Sequence, residues 1–199
     1  MQAQPSHAKP DPHREIEVKL RVGDLRQIRD KLEAGGFTVV HARAFESNEV
    51  FDTPDRKLRA ERRLLRLREF DGSAIFTYKG TPETGRHKSR EELETEVADA
   101  AALRLILDRM GYAVLFRYEK YRTIFQRAGD GQGLAVLDET PIGNWIELEG
   151  APEWIDHWAA ELGYTQAGYV TESYGALWLI YCKEKGIDAP NMVFADTSK

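Results

Sequence analysis

The sequence predicts a β-rich α+β domain whose strands pair mainly antiparallel. About eight segments alternate apolar and polar residues with the two-residue period of a strand. A few further segments carry apolar stripes at helical spacing, and most strands follow one another through short turns rich in Gly and Asp. Such hairpin-type connections favour antiparallel pairing. A chain of 199 residues is expected to form one domain with one sizeable core.

The first two elements are a strand and a helix. From Arg14, apolar and charged residues alternate strictly as far as Val22, which predicts a strand with one buried face. Asp24 is a suitable N-cap for a helix over residues 25–34, and Gly35 can end that helix.

The later elements follow the same rules. Residues 54–63 are polar and indicate a loop or a short turn of helix, and Asp71-Gly72 is typical of a hairpin turn. Residues 114–127 fit one long strand or a pair. The remaining strands are expected over residues 37–45, 48–53, 64–70, 74–79, 90–97, 134–139 and 145–149. Further helices with apolar stripes are expected over residues 100–110, 153–162 and 173–181.

Both ends of the chain differ from this pattern. Residues 1–13 contain Pro5, Pro10 and Pro12 and almost no apolar side chain, which predicts a flexible N-terminal tail. The folded domain is expected over residues 14–182, with residues 183–199 as a C-terminal tail. Whether the apolar residues within 191–194 dock on the domain stays open.

Composition excludes several functional classes. The chain carries 28 Lys and Arg against 33 Asp and Glu, a net charge of −5, which argues against a general nucleic-acid binder. No stretch approaches the ~18 apolar residues of a membrane span, and residues 1–14 have no apolar signal segment. We therefore expect a cytoplasmic protein without a membrane or nucleic-acid partner. The single Cys182 excludes an intramolecular disulfide and a thiolate zinc site.

The polar faces of the strands carry charges in pairs at positions i and i+2. Such pairs aim two charges at one place, because alternate residues of a strand point the same way. Either these faces are solvated outer surfaces, or the sheet closes with the charges inside and the helices cover its apolar face. Composition does not choose between the two. The pairs include Glu15/Glu17, Arg66/Arg68, Arg90/Glu92, Lys120/Arg122 and Glu147/Glu149, and the polar Thr77 stands in the same relation to Lys79.

The two kinds of charge suit one class of ligand. Carboxylate oxygens are the ligands that Mg²⁺ and Mn²⁺ prefer, and those ions commonly bridge carboxylates and phosphates. Arg and Lys bind phosphate oxygens. Both sets in one cavity would bind a metal-bound polyphosphate. The sequence contains neither a Walker loop nor the Gly-flanked Ser of a hydrolase nucleophile elbow.

Several motifs resemble those of one family. Glu15-Ile16-Glu17-Val18-Lys19 resembles the E-x-E-x-K signature of the CYTH domain, a group of triphosphate tunnel metalloenzymes that includes class IV adenylyl cyclases and thiamine triphosphatases. The other family features follow in order across nearly the whole domain. They are Asn48 with Phe51-Asp52-Thr53-Pro54, Leu65-Arg66-Leu67-Arg68, Phe76-Thr77-Tyr78-Lys79-Gly80, Arg90-Glu91-Glu92-Leu93-Glu94, Glu119-Lys120-Tyr121-Arg122, Leu137-Asp138, Ile146-Glu147-Leu148-Glu149 and Ser173-Tyr174.

The resemblance implies a closed eight-stranded antiparallel β-barrel with a charged tunnel inside and helices packed outside. It implies that Mg²⁺ or Mn²⁺ is held by Glu15, Glu17, Asp138, Glu147 and Glu149, with Glu92 and Glu94 as further candidates. It implies that a triphosphate is gripped by Lys19, Arg66, Arg68, Lys79, Arg90, Lys120 and Arg122. The candidate catalytic residues among these are Glu17, Lys19 and Arg66.

The expected substrate is a small-molecule triphosphate: tripolyphosphate, thiamine triphosphate or a nucleoside triphosphate. If water attacks the terminal phosphorus, the protein is a metal-dependent triphosphatase, the reaction we favour because no residue set demands adenine. If a ribose 3′-hydroxyl attacks the α-phosphorus, it is a class IV adenylyl cyclase that releases pyrophosphate. A non-catalytic module that binds polyphosphate or nucleotide is a third alternative. A monomer and a homodimer are both compatible with the sequence.

Overall fold

The computed structural model describes residues 13–129, 131 and 133–195. Within them, eight strands close into an antiparallel barrel in the order β1-β5-β4-β3-β2-β6-β7-β8. The strands are β1 (Arg14–Val22), β2 (Phe37–Asp52), β3 (Leu64–Phe70), β4 (Ser73–Lys79), β5 (Lys88–Glu96), β6 (Ala113–Arg127), β7 (Gly133–Thr140) and β8 (Gly143–Gly150). The predicted closed barrel is therefore confirmed.

The helices surround the barrel, and three of them begin at a side chain that caps the helix. Asp24 accepts hydrogen bonds from the backbone N–H groups of Arg26 and Gln27 at the start of α1. Asp99 and Ser173 cap α3 and α5 in the same way. The helices are α1 (Leu25–Ala34), α2 (Lys57–Ala60), α3 (Ala100–Arg109), α4 (Pro152–Glu161) and α5 (Tyr174–Lys185). In the described part of the chain, no helix combines the length and apolar character needed to span a membrane.

The apolar core lies between the outer face of the barrel and the helices. Leu20 of β1 and Ile146 of β8 are completely buried in a cluster that includes Leu32 of α1 and Ile155 of α4. A second cluster packs α3 against β2 and β3. Because the apolar faces point outward to the helices, the alternating charged residues point into the barrel. The charged faces therefore line the interior of the barrel and are not its solvated outer surface.

Strand β2 differs from its prediction as two separate strands. It runs without interruption from Phe37 to Asp52 and pairs with β6 along its length, with irregular register near His41 and before Phe51. Glu46, in the predicted gap, lies opposite Lys120 in the register and is completely buried. The ion pair of Glu46 with Lys120 inside the barrel thus stabilises a strand at a position where the intrinsic propensity of Glu does not favour one.

Residues 183–195 also differ from the predicted flexible tail. Helix α5 continues to Lys185, and Met192 is completely buried against the barrel. The Met192 N–H donates to the Arg117 carbonyl, and the Met192 carbonyl accepts from the Glu119 N–H, each at 2.9 Å. Strand β7 pairs with β6 only from Tyr121 onward, so the earlier edge of β6 is open for this segment. Pairing there satisfies backbone groups that an open edge leaves unbonded.

The predicted N-terminal tail falls almost entirely on residues 1–12, which lie outside the described residues. The first described residue, His13, accepts a hydrogen bond of 2.8 Å from the Glu92 N–H at its backbone carbonyl. The chain therefore joins the barrel wall at β5 one residue before β1 begins.

Candidate active site

Charged side chains from all eight strands line the interior of the barrel. Residues that alternate with the outward apolar positions face one another across it. The basic members are Lys19, Arg66, Arg68, Lys79, Lys88, Arg90, Lys120 and Arg122. The acidic members are Glu15, Glu17, Glu46, Glu92, Glu94, Asp138, Glu147 and Glu149.

Lys19 joins two of the predicted metal ligands. Its Nζ lies 3.0 Å from Glu17 Oε1 and 3.1 Å from Glu147 Oε1. Glu17 Oε1 also accepts a hydrogen bond from Lys88 Nζ, and Glu147 Oε2 lies 2.6 Å from Arg122 Nη2. The predicted catalytic residues Glu17 and Lys19 are therefore in direct contact.

Lys79 of β4 contacts carboxylates of β1 and of the intervening strand β5. Its Nζ lies 2.7 Å from Glu15 Oε1 and 2.9 Å from Glu92 Oε1. Arg90 Nε lies 3.3 Å from Glu15 Oε2, and Arg66 Nη2 lies 3.8 Å from Glu92 Oε1. Arg66, the third predicted catalytic residue, is thus connected to the E-x-E-x-K strand through intervening charges and not by a direct ion pair.

Asp138 is the most heavily hydrogen-bonded carboxylate of the tunnel. Arg122 donates to it through Nε and Nη2, each at 2.7 Å, and Lys120 Nζ lies 2.9 Å away. The Tyr174 hydroxyl from α5 donates to Asp138 Oδ2 at 2.7 Å. Lys120 also lies 3.3 Å from Glu46 Oε1, so two buried acids share one ammonium.

The arginine pair of β3 is less fully engaged. Glu94 Oε1 lies 3.4 Å from Arg66 Nη2 and 3.4 Å from Arg68 Nη2. It also accepts a hydrogen bond of 2.8 Å from Thr77 Oγ1. Arg66 Nη1 donates to the Tyr118 hydroxyl at 3.2 Å. The Nε atoms of both arginines are buried without a hydrogen-bond partner. Two charged donors are thus left available inside the barrel.

Proton affinity separates the acids into two groups. Burial by itself raises the pKa of Glu46, but Lys120 and Arg122 lower it to about 2. The pKa of Glu147 is likewise lowered, because Lys19 and Arg122 outweigh its burial. Glu149 behaves oppositely: burial, and then the neighbouring carboxylates, raise its pKa to about 7. Like charges without a close cation explain this difference.

Glu92 and Glu94 occupy different environments on β5. Burial is the main cause that raises the pKa of Glu92 to about 7, and Glu15 adds to it. The pKa of Glu94 is lowered, because Arg68, Thr77 and Arg66 outweigh its burial. The side chain of Glu92 is 16% exposed and that of Glu94 is 36% exposed, so Glu92 lies deeper in the tunnel.

The carboxylates supply the oxygen ligands that a divalent cation prefers, but their arrangement does not form a metal site. Among the described residues, no three Asp, Glu, His or Cys side chains are grouped so that they could hold a metal ion. Cations stand between the acids: Glu15 is paired with Lys79, and Glu17 with Lys88. Glu149, opposite Glu17 in the register, has no ion-pair partner in the described part of the chain. Carboxylate oxygens are the hard ligands that Mg²⁺ and Mn²⁺ prefer, so the chemistry of the donor set fits these ions.

Sequence reasoning missed Glu46, Lys88, Tyr118 and Tyr174 as interior side chains. Lys88 could have been found, because it stands two residues before Arg90 in the same alternation. Glu46 has the same relation to Asn48, whose Nδ2 donates to it at 2.9 Å, but the prediction broke β2 at this point. Tyr118 has the same relation to Lys120 on β6, whereas Tyr174 lies on a helix and has no such alternation.

Comparison with known proteins identifies the family. The model of the CYTH domain matches residues 13–174. A protein of Methanocaldococcus jannaschii named "putative adenylate cyclase" is 28% identical over 135 residues, which cover 68% of this chain and 75% of that protein.

Solved structures share the barrel. A Vibrio parahaemolyticus protein, also named "putative adenylate cyclase", superposes with a TM-score of 0.74 at 24% identity and covers 83% of this chain and 97% of its own. The PH1819 protein of Pyrococcus horikoshii gives 0.71 at 24% identity, with coverage of 84% and 99%. The Hippeastrum protein HpAC1, described as having a dominant triphosphatase activity, gives 0.58 at 20% identity, with coverage of 88% and 98%. These likenesses establish the fold, and the match over residues 13–174 shows that the chain belongs to the CYTH domain family.

Proposed function

We propose that this chain is a metal-dependent triphosphatase that hydrolyses an inorganic or organic triphosphate inside its barrel. CYTH domains as a family bind triphosphates and depend on divalent metal ions. The observation that carries the proposal is the contact between basic and acidic sets in a water-shielded interior, where Lys120 is 1% and Asp138 0% exposed. A purely anion-binding tunnel has no use for so many carboxylates, because they would repel the ligand.

The basic set would bind the phosphates. The unpartnered Nε atoms of Arg66 and Arg68 are donors that a phosphate oxygen would satisfy. The other residues of this set are Lys19, Lys79, Arg90, Lys120 and Arg122. Phosphoryl transfer requires mainly positioning and charge neutralisation along an in-line path, which such a set supplies.

The acidic set would hold the metal. The proposed ligands are Glu15, Glu17, Asp138, Glu147 and Glu149, with Glu92 and Glu94 as further candidates. Mg²⁺ or Mn²⁺ held there would neutralise phosphate charge and acidify an attacking water. Lys19 contacts both Glu17 and Glu147, so its positive charge would lie between the acidic set and the phosphates. Glu17, Lys19 and Arg66 are therefore the proposed catalytic residues.

Cyclisation of ATP to cyclic AMP is the second candidate, and the name of the Methanocaldococcus jannaschii relative favours it. A cyclase must also hold a purine and a ribose beside the phosphates. The rings of Tyr118 and Tyr174 next to the charges are each 6% exposed, and both hydroxyls are engaged in hydrogen bonds. These aromatic faces are packed and not open to a base, so we favour hydrolysis.

A product assay distinguishes the two reactions. Purified protein would receive tripolyphosphate, thiamine triphosphate or ATP, each with Mg²⁺ or Mn²⁺, and phosphate, pyrophosphate and cyclic AMP would be resolved. We expect phosphate release, lost in Lys19→Met and retained in Lys57→Met, which removes an exposed lysine outside the barrel. Pyrophosphate with cyclic AMP would establish the cyclase instead. Tight binding without any product would instead indicate a non-catalytic module that binds polyphosphate or nucleotide.

A further inference from the structure

Lys88 enters the tunnel from β5 directly opposite Glu17 of β1. Its ammonium contacts Glu17 Oε1, the oxygen that also accepts a hydrogen bond from Lys19 Nζ. The side chains of Lys88 and Glu17 are each 7% exposed, so water screens their interaction little. Two ammonium groups therefore occupy one oxygen of a proposed metal ligand.

The two ammonium groups are not equivalent. Lys19 also pairs with Glu147 at 3.1 Å, so it keeps a partner if Glu17 is withdrawn. Within the described residues, Lys88 has Glu17 as its single ion-pair partner. Glu17 is therefore the carboxylate that holds Lys88 by direct contact, with Glu15 as a second and more distant attraction.

The residues on either side of Lys88 are held by side-chain hydrogen bonds. The preceding residue, His87, places Nε2 2.8 Å from Asp156 Oδ1 on α4. The following residue, Ser89, accepts a hydrogen bond of 2.8 Å from Arg14 Nε at its hydroxyl. With both neighbours restrained, the ammonium can move away from its partner carboxylate by rotation of its own side chain.

We infer that Lys88 is a resident counter-ion that competes with the divalent metal ion for Glu17 and thereby weakens metal binding to the free protein. An ammonium and a divalent cation cannot both sit on one carboxylate oxygen without strong repulsion. The displaced ammonium would also remain close to the metal on its anchored strand. The inference rests on the proposed function, because it takes Glu17 as a metal ligand.

Mn²⁺ binding to the full-length protein tests this without any substrate. Free Mn²⁺ would be quantified by electron paramagnetic resonance and the binding heat by calorimetry. Lys88→Met removes the charge at similar length, Lys88→Arg keeps it, and Lys57→Met removes one exposed charge outside the barrel as the matched control. We expect Lys88→Met to lower the Kd for Mn²⁺ by roughly tenfold, with the other two within about twofold of the parent.

The outcomes separate the inference from the function beneath it. An unchanged or higher Kd in Lys88→Met, with normal Mn²⁺ binding by the parent, would overturn the inference and leave the proposed function standing. Mn²⁺ binding by none of the proteins would overturn the metal site itself, and the inference with it. Circular dichroism would accompany each titration, and Lys88→Gln would replace Lys88→Met if the latter failed to fold.

Discussion

Glu147 and Glu149 lie two residues apart on β8 and face the same tunnel, but only Glu147 is paired with cations. Glu147 lies 3.1 Å from Lys19 Nζ and 2.6 Å from Arg122 Nη2. Glu149 has no ion-pair partner among the described residues, and burial with neighbouring carboxylates raises its pKa to about 7. Without metal, the paired Glu147 should therefore stabilise the fold, whereas the ionised Glu149 should destabilise it.

Replacing each of these glutamates by glutamine should separate the two contributions. Glu147→Gln removes one of the carboxylates that pair with Lys19 and Arg122, which keep Glu17 and Asp138, so we expect it to cost about 1–3 kcal/mol. Glu149→Gln relieves repulsion and should leave the free energy of unfolding unchanged or higher. Urea unfolding of both variants without metal would measure this. Equal losses of stability in the two variants would contradict the assigned environments.

The stability of the parent should fall relative to Glu149→Gln as the pH rises. Burial, and then Glu15 and Glu17, raise the pKa of Glu149 from 4.5 to about 7. Between those values the folded protein binds more protons than the unfolded chain, so the free energy of unfolding decreases with rising pH. The stabilisation by this proton is complete below about pH 4.5 and lost above about pH 7. Metal-free guanidinium unfolding across this range should show diverging curves, and parallel curves would refute the raised pKa.

Arg68→Met should weaken phosphate binding with little loss of stability. The Arg68 side chain is 16% exposed, lies 3.4 Å from Glu94 as its ion-pair partner, and keeps a buried Nε without a partner. Charge-assisted hydrogen bonds contribute about 1.5–3 kcal/mol, so the Kd for tripolyphosphate should rise roughly tenfold to hundredfold. Calorimetry would measure it, with exposed Arg59→Met as the control. Equal affinities in both variants would remove Arg68 from the phosphate site.

Met192→Ala should destabilise the protein, although it lies beyond the predicted domain. Met192 is fully buried in a cluster with Tyr118, Tyr174 and Trp178. Truncation of a buried methionine costs about 2–5 kcal/mol, whereas exposed Val193→Ala should stay within about 0.5 kcal/mol of the parent. Thermal unfolding of both variants would compare them. Matching melting temperatures would mean that this segment does not hold the barrel.

Much of the site was predictable because strand alternation is a local property. The pairs Glu15/Glu17 and Lys120/Arg122 share a face in any strand that contains them, and their resemblance to family motifs predicts that they bind one ligand. Lys88 obeys the same rule relative to Arg90. Glu46 was missed because its strand propensity is poor, and its burial is explained by the distant Lys120 and Arg122.

Residue order along each strand establishes which side chains share a face, but it carries no information about which face lies inside. Closure of the barrel settles that point, because the apolar faces find helices such as α1 and α4 outside and leave the charges within. Closure also chooses the partners, joining Lys88 to Glu17 and leaving Glu149 without a cation among the described residues. These pairings depend on strand register between segments far apart in the chain, and no local pattern encodes such a distance.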